Sequence, residues 1–65
     1  MNQKEFEKKQ LEIATKYQKV YNSQLPINEI IRLAELGMES EKDHFDSDKE
    51  ELEVFENYIE SIVNP

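Results

Sequence analysis

The stretch that most constrains the fold is residues 25–38, LPINEIIRLAELGM, in which eight of fourteen residues are apolar and three are charged. If this segment is helical, its apolar side chains form one stripe, and two leucines extend that stripe onto a second side. The stripe comprises Ile27, Ile30, Ile31, Ala34 and Met38, and the extension comprises Leu33 and Leu36. A helix that is apolar over more than half of its circumference needs cover from two directions. We therefore predict that it is the central element of the fold, with Ile30, Ile31 and Ala34 buried.

A first helix is predicted before this segment, over residues 3–21. Asn2 with Glu5 three residues later matches the capping-box pattern, and no Gly or Pro interrupts the chain before Pro26. Apolar residues recur at helical spacing as Phe6, Ile13, Tyr17 and Val20, flanked by Ala14 and Tyr21. Leu11 lies off this stripe, where it is either ordinary surface or a contact with a partner.

A proline separates the first helix from the central one. Pro26 disfavours helical geometry at Leu25 and itself fits a first helical turn, so the central helix is predicted over residues 27–37. Gly37, the only glycine in the sequence, favours a left-handed C-terminal cap. Residues 39–46 contain one apolar anchor, a phenylalanine, and are predicted to form a loop or one or two helical turns.

A third helix is predicted over residues 48–63. Ser47 and Glu50 form a second capping-box match, and acidic residues crowd the first turn, where the helix dipole favours anions. The apolar arc comprises Leu52, Phe55, Ile59, Ile62 and Val63, with Tyr58 at its edge. Val54 points away from this arc, and the outer surface is mostly glutamate. Pro65 is expected to be a frayed end.

These arcs predict an all-α fold, a three-helix bundle in a single domain of residues 1–65. Two helices with narrow apolar stripes can each cover one side of the broad-striped central helix. A chain of 65 residues is near the lower limit for independent folding, so a homodimer that completes the core is the alternative arrangement. The apolar residues that such an assembly would cover are Leu11, Leu33, Leu36, Val54 and Tyr58.

The net charge of -7 is unevenly distributed along the chain. Residues 1–32 hold six Lys or Arg against four Glu, net +2, whereas residues 33–65 hold two Lys against eleven Asp or Glu, net -9. A concentrated acidic field disfavours direct contact with nucleic acid or an anionic membrane and favours a basic protein surface as partner. The alternative is that the carboxylates only keep the domain soluble.

Composition also bears on the cellular setting. The sequence contains no cysteine, and therefore no disulfide framework and no thiolate metal site, so we expect a cytoplasmic protein. Its apolar runs of two or three residues are far too short to span a bilayer. The N-terminus carries no apolar signal core.

Enzyme chemistry is not predicted. His44 is the only histidine, the serines and the threonine stand in no catalytic motif, and one glycine cannot form a phosphate-binding loop. Compared with an EF-hand loop that would start at Asp46, the acidic stretch 43–50 does not match. Glu51 stands where glycine is needed and Asn57 where a bidentate glutamate is needed. We therefore expect no metal and no cofactor. A DNA-reading helix is disfavoured, because residues 39–46 would turn carboxylates towards phosphates.

The function that the sequence favours is a small acidic protein-interaction module. We predict an inhibitor or anti-repressor that blocks the basic surface of a nucleic-acid-binding protein, as a DNA mimic does, with carboxylates in place of phosphates. The predicted contact residues are Glu39, Glu41, Asp43, Asp46, Asp48, Glu53, Glu56 and Glu60.

Two alternatives stay open. One is a non-catalytic helical module that docks through its surplus apolar side chains or forms a homodimer; the residues in question are Leu11, Leu36, Val54 and Tyr58. The other is an immunity-type protein that neutralises a basic toxin by the same electrostatics. In composition, the small size, the acidity and the usage rich in Lys, Glu, Asn and Ile resemble accessory proteins of phages or plasmids.

Overall fold

The computed structural model describes residues 1–64, which form three α-helices and one short 3-10 helix and include no strand. The helices are α1 (Gln3–Val20), α2 (Ile27–Met38) and α3 (Asp48–Val63), and the 3-10 helix Glu39–His44 follows α2 directly. The predicted all-α three-helix bundle is confirmed, and each α-helix ends within one residue of its predicted limits. The expectation for Pro65 lies outside the described residues.

Both predicted N-terminal caps are formed. The Asn2 Oδ1 accepts a hydrogen bond from the backbone N–H of Glu5 at 2.8 Å, and the Ser47 Oγ accepts one from the backbone N–H of Glu50 at 3.2 Å. The Glu50 carboxylate also reaches back and accepts from the backbone N–H of Asp46 at 3.0 Å. These bonds satisfy donors that the first turn of a helix leaves unpaired, so the starts of α1 and α3 are fixed by local sequence.

The end of α1 is a Schellman motif built on asparagine. Asn22 is the one non-glycine residue among 1–64 with a positive φ, at 50°. Its N–H donates to the Lys19 carbonyl at 3.3 Å, and the N–H of Ser23 donates to the Gln18 carbonyl at 3.0 Å. Asparagine tolerates the left-handed conformation better than most residues, so α1 ends here and the chain reverses towards α2.

The prediction that Gly37 forms a left-handed cap is wrong. Gly37 lies inside α2, its φ is not positive, and the C-cap residue Glu39 has a right-handed helical backbone. Glycine is needed at this position for packing instead, because a Cβ at Gly37 would lie 2.8 Å from Cε1 of Tyr58. Gly37 therefore lets the Tyr58 ring pack directly on the backbone of α2, while the chain continues into the 3-10 helix without reversing.

The hydrophobic core lies between α2 and α3 and is completed by α1. Its buried members are Ala14, Ile30, Ala34, Met38, Phe55 and Ile59. The prediction that Ile31 is buried like Ile30 is wrong, since Ile31 is half-buried and packs against the edge of this cluster, as Ile27 does. The predicted burial of Ile30 and Ala34 is confirmed. Because α1 and α3 also pack directly against each other, α2 is one of three mutually packed helices and does not lie between the other two.

The first helix is rotated relative to its predicted orientation. The core-facing side of α1 is centred on Gln10 and Ala14, which are 7% and 0% exposed, rather than on the predicted stripe through Ile13 and Val20. Val20 is 66% exposed, so its predicted place in the core is wrong. The small Ala14 allows α1 to approach the other helices closely, and this contact decides which side faces inward.

The three helices pack against one another in an up-down-up arrangement. The Gln18 amide donates to the Leu25 carbonyl at 2.7 Å across the first connection, and Gln10, earlier in α1, donates to Glu35, late in α2, so α2 runs antiparallel to α1. The N-terminal amine lies 3.5 Å from the Asp48 carboxylate at the start of α3. Because Tyr17 and Tyr21, at the other end of α1, donate to Glu56 and Glu60 further along α3, these two helices run parallel and meet along one seam.

Candidate functional site

The predicted acidic contact residues lie on two adjacent elements, the 3-10 helix with the turn that follows it, and α3. The exposed members of the set are Glu39, Asp43, Asp46, Glu53 and Glu60, and the half-buried members are Glu41, Asp48 and Glu56. We call this set the acidic surface. Its residues span twenty-two positions of sequence, so its geometry depends on how the 3-10 helix sits beside α3.

A tyrosine joins those two elements. The Tyr58 hydroxyl on α3 donates to the Glu41 carboxylate at 2.7 Å, and this hydrogen bond raises the pKa of Tyr58 above its usual value. On the other side of the segment, the Lys42 ammonium lies 2.9 Å from the Glu35 carboxylate of α2. Residues predicted to be a loop or a turn or two are therefore a 3-10 helix, which Glu41 joins to α3 and Lys42 joins to α2.

Two more tyrosines hold carboxylates along the seam between α1 and α3. Tyr17 donates to Glu56 at 2.8 Å, and Tyr21 donates to Glu60 at 3.1 Å. The two rings are stacked, with centroids 6.0 Å apart and planes within 7°. The hydrogen bond to Glu56, together with burial and the charges of Glu56 and Glu60, raises the pKa of Tyr17 to about 12. The bond to Glu60 likewise raises the pKa of Tyr21.

The remaining members of the acidic surface differ in their surroundings. Asp48 is half-buried beside the N-terminal amine. Glu39, Asp43, Asp46 and Glu53 are exposed, and within residues 1–64 their carboxylates form neither an ion pair nor a tyrosine hydrogen bond. The acidic surface thus combines four free carboxylates with three, Glu41, Glu56 and Glu60, whose positions are set by tyrosines.

The predicted apolar contact residues divide into two pairs. Leu11 on α1 is 48% exposed, as its position off the apolar stripe predicted, and Leu36 on α2 is 55% exposed although the pattern placed it on the apolar side of that helix. Val54 and Tyr58 are half-buried and pack against the core cluster. The prediction that Val54 points away from the core is wrong, because α2 covers the flank of α3 as well as its central stripe. Of these four predicted contact residues, only the two leucines are therefore exposed.

A polar cluster at the junction of the three helices was not predicted. Gln10 is buried and its amide donates to the Glu35 carboxylate, which also accepts from Lys42. Glu51 lies nearby, and burial together with the charge of Glu35 raises the pKa of its carboxyl. The signal was present in the sequence, since Gln10 stands between apolar neighbours on the inward side of α1. A glutamine in that position needs a buried hydrogen-bond partner.

Neither a candidate metal cluster nor a candidate membrane span is present in residues 1–64. Across residues 1–64, no three His, Asp or Glu side chains are grouped in a way that would hold a metal ion, and His44 is exposed. None of the helices in the same span combines the length and the apolar character that crossing a bilayer requires.

No protein-family model, curated protein or solved structure matches this chain. The geometry of its own surfaces is therefore the basis for a function. Those surfaces are an acidic one on the 3-10 helix and α3, and two accessible leucines on α1 and α2.

Proposed function

We propose that this protein is an acidic interaction module that blocks a basic protein surface of the kind that binds nucleic acid. The observation that carries the proposal is that the acidic residues of the 3-10 helix and of α3 are largely exposed, and that the Tyr58–Glu41 hydrogen bond fixes the 3-10 helix against one flank of α3. A nucleic-acid-binding protein presents Lys and Arg to phosphates, and fixed carboxylates can occupy the same positions.

The tyrosine hydrogen bonds support this role by fixing where charge is presented. A free glutamate loses side-chain entropy when a partner immobilises it, which weakens binding. Glu41, Glu56 and Glu60 have part of that freedom removed already, because each accepts from a tyrosine. An ionised carboxylate has about four acceptor positions, so one tyrosine bond leaves the others free for a cation on the partner.

The charge distribution supports a basic partner over a nucleic acid. Residues 33–65 are net -9, which repels phosphate and accelerates encounter with a basic surface at low salt. A role as an accessory inhibitor or anti-repressor encoded by a phage or plasmid fits the composition noted above. The proposal includes a cytoplasmic location, where a chain without cysteine has no disulfide to lose.

The test begins with affinity capture from host extract, using the wild-type chain and a double charge reversal, Glu39→Lys with Glu53→Lys. Both residues are exposed and contact no tyrosine, so the helices should be unaffected. The matched control reverses Glu5 and Glu7 on α1, which are also exposed, and changes the net charge equally. A protein retained by the wild type is then purified, and its affinity for nucleic acid is measured with and without this chain.

The expected result is that a basic nucleic-acid-binding protein is retained by the wild type and by the α1 control but lost with the reversed acidic surface. The wild type should displace nucleic acid from it, and association should slow as salt rises, since exposed charges are screened over about 8–10 Å at physiological ionic strength. Capture that survives reversal of the acidic surface, or a retained protein whose nucleic acid is not displaced, would reject the proposal.

A further inference from the structure

The outer face of α1 carries a second surface, remote from the core-facing side of that helix. A shallow, open depression runs along it, lined by Lys8, Leu11, Glu12, Thr15, Lys16 and Lys19 of this one helix. These positions recur every three or four residues, so they share one helix face, opposite the buried Gln10 and Ala14. We call this surface the α1 groove. Leu11, 48% exposed, is its large apolar side chain.

The α1 groove is basic in a protein that is otherwise acidic. Its lining holds three lysines and one glutamate. In the described part of the chain, Lys8, Lys16 and Lys19 form no ion pair, whereas Lys42 and Arg32 on other elements do. The Lys16 ammonium lies 5.4 Å from the centroid of the Tyr17 ring, which holds it at the rim of the groove nearest α3. The groove therefore offers one apolar anchor surrounded by unneutralised cations.

A second copy of the chain fits this groove poorly. Packing α1 against α1 of another copy would oppose lysines to lysines. The outer face of α3 supplies carboxylates through Glu53 and Glu60, but Asn57 stands between them and no apolar side chain on that face could cover Leu11. On α2, Leu36 is exposed, but the Glu29 carboxylate on the same face is already paired with Arg32 and is not free for the lysines. Nucleic acid would satisfy the lysines, but phosphates would leave Leu11 uncovered, and the net charge of -7 opposes their approach.

We propose that the α1 groove docks an acidic amphipathic helix of a protein partner. One apolar side chain of that helix would cover Leu11 and the methyl group of Thr15, and carboxylates on its flanks would pair with Lys8, Lys16 and Lys19. This is the helix-in-groove mode of recognition, with charge complementarity setting the orientation. The groove and the acidic surface lie on different elements, so the protein can engage an acidic segment and a basic surface separately.

The test uses the full chain labelled with ¹⁵N and a synthetic helical peptide with leucines at helical spacing flanked by glutamates. A second peptide replaces every glutamate with lysine, and a short DNA duplex is the third probe. Leu11→Ala removes the anchor, Lys8→Glu with Lys19→Glu reverses the rim, and Leu36→Ala is the control, because it truncates an equally exposed leucine on α2. All four substituted positions are on the surface, so folding is checked simply from the amide spectrum.

The expected result is binding of the acidic peptide with amide shifts confined to the outer face of α1. Leu11→Ala and the rim reversal should each weaken the affinity about tenfold or more, Leu36→Ala should leave it unchanged, and the other two probes should not bind there. The inference is overturned by absence of binding at about 1 mM peptide, equal binding of the lysine peptide, binding of the duplex at this face, or α1 shifts that depend on protein concentration alone. Reversal of Glu39 and Glu53 should not affect the peptide, so this result is independent of the function proposed above.

Discussion

The core between α2 and α3 and the seam between α1 and α3 hold the bundle together in different ways. In the core, Ile30, Phe55 and Ile59 are fully buried in one apolar cluster of the kind a periodic sequence predicts. Along the seam, Tyr17 and Tyr21 donate to carboxylates that remain within reach of solvent. The core supplies most of the free energy of folding, and the seam fixes how α1 lies against α3.

This comparison shows that the acidic residues of the protein differ in exposure and in hydrogen bonding. Glu53 is exposed and unpaired, whereas Glu56, three residues later, is half-buried and joined to α1. A helical wheel places both on the outer side of α3, and only the presence of a tyrosine opposite separates them. We therefore expect substitutions in the core to change the free energy of unfolding most. Substitutions at the tyrosine contacts should change it less, and those at the polar junction least.

The largest effect is expected from Ile30→Asp. This change places a charge in a position that is 0% exposed, at a cost of several kcal/mol, in a domain whose total stability is a few kcal/mol. The variant should lose its helical far-UV circular dichroism and its dispersed amide spectrum. Leu36→Asp on the same helix is the matched control and should stay folded, since Leu36 is exposed. A folded Ile30→Asp would contradict the assignment of the core.

A smaller effect is expected where core packing and the tyrosine contacts meet, at Gly37 and Tyr58. Gly37→Ala should stabilise a helix by about 0.5–1 kcal/mol, but here the new Cβ would lie 2.8 and 2.9 Å from two ring carbons of Tyr58. We expect Gly37→Ala to destabilise the wild type and to stabilise the Tyr58→Ala variant. Urea denaturation of the four proteins gives the coupling energy, expected to be about 1–2 kcal/mol. The same effect in both backgrounds would show that the ring does not pack on Gly37.

Removing the Tyr17 hydroxyl tests the seam itself. Tyr17→Phe should lower the free energy of unfolding by about 0.5–1 kcal/mol at neutral pH, because one hydrogen bond to a carboxylate is lost while the ring stays. Tyr21→Phe is the control and should cost less, since its bond to Glu60 is in an exposed setting. Equal losses, or none, would mean that the seam contributes no specific contact.

The same tyrosine predicts an alkaline limit. Because the pKa of Tyr17 is raised from 10.0 to about 12 in the folded state, its contribution to stability is fully present below pH 10 and is lost as pH rises towards 12. Denaturation of the wild type and Tyr17→Phe at pH 8, 10 and 12 measures it. The stability difference between the two proteins should shrink over that interval, and a constant difference would contradict the raised pKa.

The smallest effect is expected at the polar junction. Burial and the charge of Glu35 raise the pKa of Glu51, so its ionised form is unfavourable in the folded state. Glu51→Gln should therefore be more stable at pH 7 than the control Glu53→Gln, which removes one charge from an exposed and unpaired site on the same helix, by about 0.5 kcal/mol or less. This difference should vanish as pH falls below 4.5, where Glu51 becomes protonated in the unfolded chain too. A difference that persists in acid would point to a cause other than charge burial.

Local sequence alone determined the helices and most of their ends. Asn2, Ser47 and Pro26 act within a few residues of themselves, through capping bonds and restricted backbone angles, and their predicted boundaries agree with the structure. The apolar spacing of residues 25–38 also sufficed to identify Ile30 and Ala34 as core positions, because residues at helical spacing share one face. The exposure of Leu11 follows from the same kind of periodicity, whereas Leu36, which the pattern placed on the apolar side of α2, is exposed.

The tertiary structure decided everything that depends on which residue lies opposite which. Close packing between helices turns α1 so that Gln10 and Ala14 face inward. It also places the Tyr58 ring on Gly37 and half-buries Val54. The tyrosine–glutamate contacts also come from this packing, because their partners are separated by 17 or 39 positions in the sequence. Helical periodicity reports the direction in which a side chain points along its own axis, but the partner it meets is set by how neighbouring helices fit together, and a single sequence does not encode that in any local pattern.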